Sequence, residues 1–194
     1  MENKIKEFFD SIAKDWDNSL DNLEKIESLI DLLGIKRGDD VLDVGCGKGI
    51  ITPLLHKRSQ NKVIAMDLSP NMIRGAIEAY GDKSDLHFVC GDFLEAGIEN
   101  QFDYIVIFNA YPHFMDVEKL SNVVYKALKP NGHFAIIHSL SKEELNTHHK
   151  QHAMGVSRPL EAADIEAKKF DPNFKVEKTI DEKDKYLIIL SKRQ

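Results

Sequence analysis

With 194 residues, 42% of them hydrophobic and 30% charged, the chain can bury a core without help from a disulfide or a structural metal. Its formal net charge of −6 excludes a generally basic surface of the kind that holds nucleic acid non-specifically. Cys46 and Cys90 form no CxxC pair, the stretch Met1–Glu7 is too charged for a signal peptide, and no apolar run approaches about 20 residues. The expectation is one cytoplasmic domain over 1–194 that does not span a membrane.

In chain order, Ile5, Phe8, Phe9, Ile12 and Trp16 fall at spacings of three and four and predict an amphipathic helix over 3–16. Leu23, Ile26, Ile30 and Leu33 predict a second from Asp21 to Leu33, stopped by Gly34. Residues 1–34 therefore read as a helical cover and 35–194 as the core. Asp40–Val44 is a short apolar run ending in glycines, which reads as a buried strand. A helix over Ile50–Arg58 follows, then a strand at Lys62–Asp67 and a helix capped by Ser69 or Asn71 that runs to Tyr80. Leu86–Cys90 and Tyr104–Phe108 are further strands. Val117–Leu128 is a helix closed by the turn Lys129-Pro130-Asn131-Gly132, and His133–His138 is a fifth strand. Alternation of strand and helix implies right-handed crossovers and a mostly parallel sheet. Phe174–Ile180 and Tyr186–Leu190, joined by Asp181–Asp184, are too close together for anything but an antiparallel hairpin.

Asp43-Val44-Gly45-Cys46-Gly47-Lys48-Gly49 lies directly between the first strand and a helix. Glycines there allow a tight turn and a close approach of ligand to main chain, and the helix start offers free N–H groups. Read alone, such a loop is equally a turn that merely needs glycine. Asp67 ends the second strand, 18 residues after Gly49, where a carboxylate can accept both hydroxyls of a ribose or simply cap the next helix. Asp92, after the third strand, can accept from an adenine amino group or serve a turn. All three features fall at the carboxyl ends of successive strands, where open α/β sheets bind ligands.

Val41–Gly49 resembles the first motif of class I S-adenosylmethionine-dependent methyltransferases, and Met66-Asp67-Leu68-Ser69-Pro70-Asn71-Met72 resembles their second. Gly91-Asp92-Phe93 and Leu128–His133 are similar to later motifs, and Phe8-Phe9-Asp10 with Ala13–Asp17 to the N-terminal helix of small-molecule members. The resemblance implies an α/β fold: a Rossmann-like, doubly wound, mostly parallel seven-stranded sheet with an antiparallel last strand and an N-terminal helical lid. It implies S-adenosylmethionine as cofactor. Gly45, Cys46, Gly47 and the loop backbone would face the methionine part, with Asp43 beneath. Asp67 would hold the ribose, Leu68 and Met72 would pack on adenine, Asp92 and Phe93 would border its amino edge, and Asn109 would lie nearest the transferred methyl. The run Asn109-Ala110-Tyr111-Pro112-His113 departs from the Asn/Asp-Pro-Pro-aromatic motif of DNA amino-methyltransferases. With the charge, this favours a small-molecule acceptor over nucleic acid; oligomeric state is not encoded legibly.

Six of the eight histidines lie between residues 113 and 152. His148 and His152 share a helical face and can meet a metal. His113, His138 and His149 come from different elements expected to converge over the methyl, and three neutral imidazoles with an open position suit a divalent metal. One of them, His113 or His138, can instead serve as a base, with Asn109 and Tyr111 as further catalytic candidates. Solvated or hydrogen-bonded loop histidines would look the same. Methyl transfer from a sulfonium needs mainly positioning and exclusion of water. The expectation is thus a small acceptor beneath a lid made of the N-terminal helices and residues 141–165, in an apolar pocket lined by Trp16, Tyr111, Phe114, Met115 and Met154. Two alternatives stand beside it. One is a nicotinamide-dependent oxidoreductase, disfavoured because Ile50 occupies the third-glycine position of G-x-G-x-x-G. The other is a donor- or metal-binding protein without chemistry.

Overall fold

A computed structural model describes residues 2–16, 23–81 and 85–194. Asp21 of the predicted second helix and Asp17 of the N-terminal motif lie outside the described residues. The first helix, α1, runs Glu2–Ile12 and continues as a 3-10 turn, Ala13–Asp15; α2 runs Leu23–Asp31. The core then alternates: β1 Val41–Val44, α3 Thr52–Ser59, β2 Val63–Asp67, α4 Pro70–Tyr80, β3 Leu86–Cys90, β4 Phe102–Phe108, α5 Val117–Ala127, β5 Leu128–His138. Then come α6 Lys142–His152, α7 Ala163–Lys168, β6 Phe174–Glu182 and β7 Lys185–Lys192.

The seven strands form one sheet in the order β3-β2-β1-β4-β5-β7-β6. Strands β1 to β5 run parallel to one another; β7 is antiparallel to β5 and to β6. Both expectations, the parallel body and the terminal hairpin, hold. Glu182 pairs with Lys185, so only two residues turn the hairpin. β5 begins five residues earlier than predicted because Leu128 already pairs with Phe102. A register shift then absorbs the turn chemistry of Lys129–Gly132, with Asn131 at a φ of +63°.

Every residue of β1 is buried, the pattern of a strand covered on both faces. Leu42, Ile105, Phe134 and Ile136 face a core completed by Leu120 and Val124 of α5 and Ala163 and Ala167 of α7. Val41, Val106, Ala135 and Ile137 face a second core completed by Ile26, Leu29 and Ile30 of α2 and Leu55 of α3. Caps fix where helices start: Met72 N donates to the Ser69 hydroxyl, Lys119 N to the Asp116 carboxylate, and Ser141 with Glu144 closes a reciprocal capping box on α6. The strand order reverses on either side of β1, between β2 and β4. The crevice at the carboxyl ends of these strands is where side chains from successive loops converge.

Candidate active site

That crevice holds a cavity of about 310 Å³. Its floor is the loop after β1. Gly45 sits at a φ of +68°, and a Cβ there would fall 2.8 Å from Ala110 Cβ, so both conformation and space demand glycine. Gly45 N and Cys46 N donate to the Met66 carbonyl, which ties the loop to β2. Gly47 N donates to Asp67 Oδ2 at 2.8 Å, and Ser69 N to Asp67 Oδ1 at 2.8 Å. Asp67 thus braces the glycine loop and the start of α4 from the cavity wall, and its burial raises its pKa.

Asp43 is 1% exposed, with Oδ2 accepting from the Thr52 hydroxyl at 2.7 Å. Its Oδ1 is buried without a partner among the described residues, and the residue lines the cavity. Burial, only partly offset by Thr52, pushes the Asp43 carboxyl up to about 7. Such a group is costly until something donates to it. Cys46 borders the same loop, with its thiol pushed up by burial. Leu68, Met72, Asp92 and Phe93 also line the cavity, and Asp92 Oδ1 caps the short 3-10 turn Phe93–Glu95 by accepting from Leu94 N. Asn109 closes the β4 side. It takes a φ of +54° and exchanges two hydrogen bonds with Ser139, Ser139 N donating to Oδ1 at 2.9 Å and Nδ2 donating to the hydroxyl at 3.1 Å. All ten residues expected to hold the donor line one cavity.

Over this floor lie Ile5, Phe9 and Trp16 from the N-terminal segment and Ile26 from α2, with His113 and Phe114 beside them. Phe9 meets His113 edge-on, ring centres 4.8 Å apart, and Trp16 at 6.0 Å. The Val156 carbonyl lies 2.8 Å from His113 Nδ1. A carbonyl only accepts, so Nδ1 carries the proton and Nε2 presents a lone pair. Burial lowers the His113 pKa, partly offset by that hydrogen bond, so the ring is neutral near pH 7.

Several expectations fail here. Tyr111 is fully buried; its hydroxyl donates to Glu166 Oε2 at 2.8 Å beneath the Arg158 guanidinium, and it is absent from the cavity wall. It is part of the core. His138 is also fully buried and does not line the cavity. The strand pleat points it, like Phe134 and Ile136, into the core of α5 and α7, where it meets Tyr186 edge-on. Burial and the neighbouring imidazoles push it down to about 3. His149 lies 5.1 Å from His113 between ring centres and His148 lies 4.8 Å from His152. No three His, Cys, Asp or Glu side chains among the described residues are placed to hold a metal, so the expected His113, His138 and His149 centre is not formed. Residues 141–165 supply no part of the cavity wall; Met115 lies off it and Met154 is 84% exposed. Among the described residues the cover comes from α1, the segment to Trp16 and Ile26 of α2. Ser139 and Lys48 line the cavity without having been singled out. Lys48 sits inside the glycine motif, whereas Ser139 carries no sequence signal beyond following β5.

Residues 41–132 match the family model described as a methyltransferase domain. The malonyl-[acyl-carrier protein] O-methyltransferase of Acetivibrio thermocellus is 31% identical over 128 residues, 64% of this chain and 45% of that protein. Phosphoethanolamine N-methyltransferase 3 of Arabidopsis thaliana is 36% identical over 116 residues, 59% of this chain and 24% of that protein. The chain thus spans half or less of the length of these curated relatives. An S-adenosylmethionine-dependent methyltransferase from Mesorhizobium loti superposes with a TM-score of 0.73 over 90% of this chain and 100% of that one, at 19% identity, which establishes a shared fold. No helix among the described residues is long and apolar enough to cross a membrane. The glycine loop, the acids after β2 and β3 and the sheet order agree with these matches: residues 41–132 are a methyltransferase domain of the class I, S-adenosylmethionine-dependent kind.

Proposed function

We propose that this protein transfers a methyl group from S-adenosylmethionine to a small-molecule acceptor. The observation that carries the reading is the buried, unpartnered Oδ1 of Asp43 in the same cavity as the Asp67-braced glycine loop. An α-ammonium placed over the loop supplies Asp43 with a donor, directly or through water, while ribose hydroxyls reach the lone pairs left on Asp67. Leu68 and Met72 fit an adenine face, and Asp92 with Phe93 its edge.

The acceptor would enter between the Phe9–Trp16 wall and Asn109. Its heteroatom attacks the methyl carbon opposite the sulfur, the carbon–sulfur bond breaks, and the pair returns to sulfur to give a neutral thioether. If the heteroatom is protonated, His113 Nε2 takes the proton; the Val156 carbonyl has already set the tautomer. Asn109 and Ser139 border the methyl end as hydrogen-bonding groups. The relatives' names include both an oxygen and a nitrogen acceptor.

Incubation with methyl-labelled S-adenosylmethionine and the low-molecular-weight fraction of a cell extract tests the reading. Protein-dependent label in a small molecule is the expected result. Tight donor binding with no transfer would instead support a non-catalytic binding protein. Once an acceptor is in hand, His113→Ala should lower turnover by about 10²-fold for a protic acceptor and change donor affinity by less than about threefold. Equal loss of both would remove His113 from the role of base.

A further inference from the structure

Among the described residues, α1 and the 3-10 turn after it are fastened over the cavity through two side chains, and both fasten them to the loops that build the floor. Asp10 of α1 is the first. The Ser69 hydroxyl donates to Asp10 Oδ1 at 2.5 Å, Asn71 N donates to the same oxygen at 3.3 Å, and Asn71 Nδ2 donates to the Asp10 carbonyl at 3.1 Å. Ser69 meanwhile accepts from Met72 N, and its own N–H is held by Asp67. One hydroxyl therefore joins the lid, the cap of α4 and, through two backbone atoms, the carboxylate that braces Gly47. Lys48, in the glycine loop, is the second. Its ammonium donates to the Trp16 carbonyl at 3.0 Å. Its stem crosses α4 where the chain has Gly75: a Cβ there would lie 3.0–3.1 Å from Lys48 Cγ, Cδ and Cε.

Asp10 does not line the cavity, whereas its neighbour Phe9 and the residue that Lys48 grips, Trp16, do. Both fasteners thus act through the aromatic wall. We propose that Asp10 and Lys48 are positioning residues that clasp the N-terminal segment to the two donor-binding loops, so that a seated donor fixes the Phe9–Trp16 wall for the acceptor. The inference rests on the donor reading above and goes beyond it by assigning the coupling between donor site and lid to two named side chains. Asp10 serves as an acceptor only, so an amide oxygen can replace it in the bonds from Ser69 and Asn71, whereas alanine cannot.

The test is the release of radiolabelled S-adenosylmethionine after a chase with excess S-adenosylhomocysteine, on wild type, Asp10→Ala, Asp10→Asn and Lys48→Met. Loss of one or two such bonds corresponds to release about tenfold faster in Asp10→Ala and in Lys48→Met. Asp10→Asn should stay within about twofold of wild type. Trypsin cleavage after Lys14, which is exposed on the lid, should slow on donor binding in wild type and in Asp10→Asn but not in Asp10→Ala. Asp10→Ala releasing at the wild-type rate would overturn the proposal, as would Asp10→Asn releasing as fast as Asp10→Ala. Should Asp10→Ala not fold, Lys48→Met at the wild-type rate overturns it alone. Wild type that retains no donor at all would sink the donor reading itself, a result distinct from equal rates among proteins that bind.

Discussion

Replacing Asp43 by asparagine probes the donor site where its electrostatics are most unusual. The carboxyl is fully buried with one oxygen unpartnered, and burial pushes it up to about 7 from an ordinary 3.8. In the unliganded protein about a tenth of the molecules carry it ionised at pH 6 and about three quarters at pH 7.5. A ligand cation over the loop favours the ionised form. Donor affinity should therefore rise about eightfold between pH 6 and pH 7.5, with proton release on binding in that range. The sign for folding is the reverse. The native state holds this proton to a higher pH than the unfolded chain does, so Asp43 costs stability progressively as pH rises from about 3.8 to about 7. Titration calorimetry with S-adenosylhomocysteine at both pH values, in two buffers of different ionisation enthalpy, measures affinity and proton count together. Asp43→Asn should lose most of the rise and of the released proton. A variant that keeps the whole rise, or a wild type with neither, would refute the placement of a cation at Asp43.

Other perturbations follow from the same geometry. His138 resists protonation down to about 3 whereas an exposed histidine takes a proton near 6.5, so acid favours unfolding from about pH 6.5 downward. At pH 5 the loss is about 2 kcal/mol relative to pH 7.5. His138→Leu should flatten that limb of the denaturation profile, and an unchanged limb would contradict the buried neutral ring. Gly75→Ala improves helix propensity in α4 by as much as about 1 kcal/mol, yet crowds the Lys48 stem. Thermal melting should hold or rise while donor release quickens, and slower release would mean that Lys48 does not need the space.

The floor of the cavity was legible because its residues are carried by local sequence patterns. A glycine loop between an apolar strand and a helix, and acids that end the next two strands, are short-range patterns. The sheet order then placed all of them on one edge. The placement of the residues expected above it was not. His138 ends β5 at the right edge of the sheet, but the pleat decides which face it joins, and here it follows Ile136 into the core. Tyr111 is two residues from Asn109, yet the 3-10 turn at 111–113 rotates it inward onto Glu166 while it turns His113 outward to the cavity. Glu166 lies 55 residues further along, and nothing local announces the pairing. Likewise the tautomer of His113 is set by a carbonyl 43 residues away. Asp10 showed in sequence as part of the Phe8-Phe9-Asp10 stretch of the N-terminal helix, without a role; its bonds to Ser69 and Asn71 depend on how α1 docks on α4.

Donor binding, methyl transfer and the clasp all require the cleft to take the adenosyl group. Calorimetric titration of the purified protein with S-adenosylhomocysteine, with NAD as a parallel ligand, decides it. One molecule of the thioether bound per chain, lost on Asp67→Ala, with no heat from NAD, is the predicted result. No binding of the thioether, or binding of NAD in its place, would contradict it.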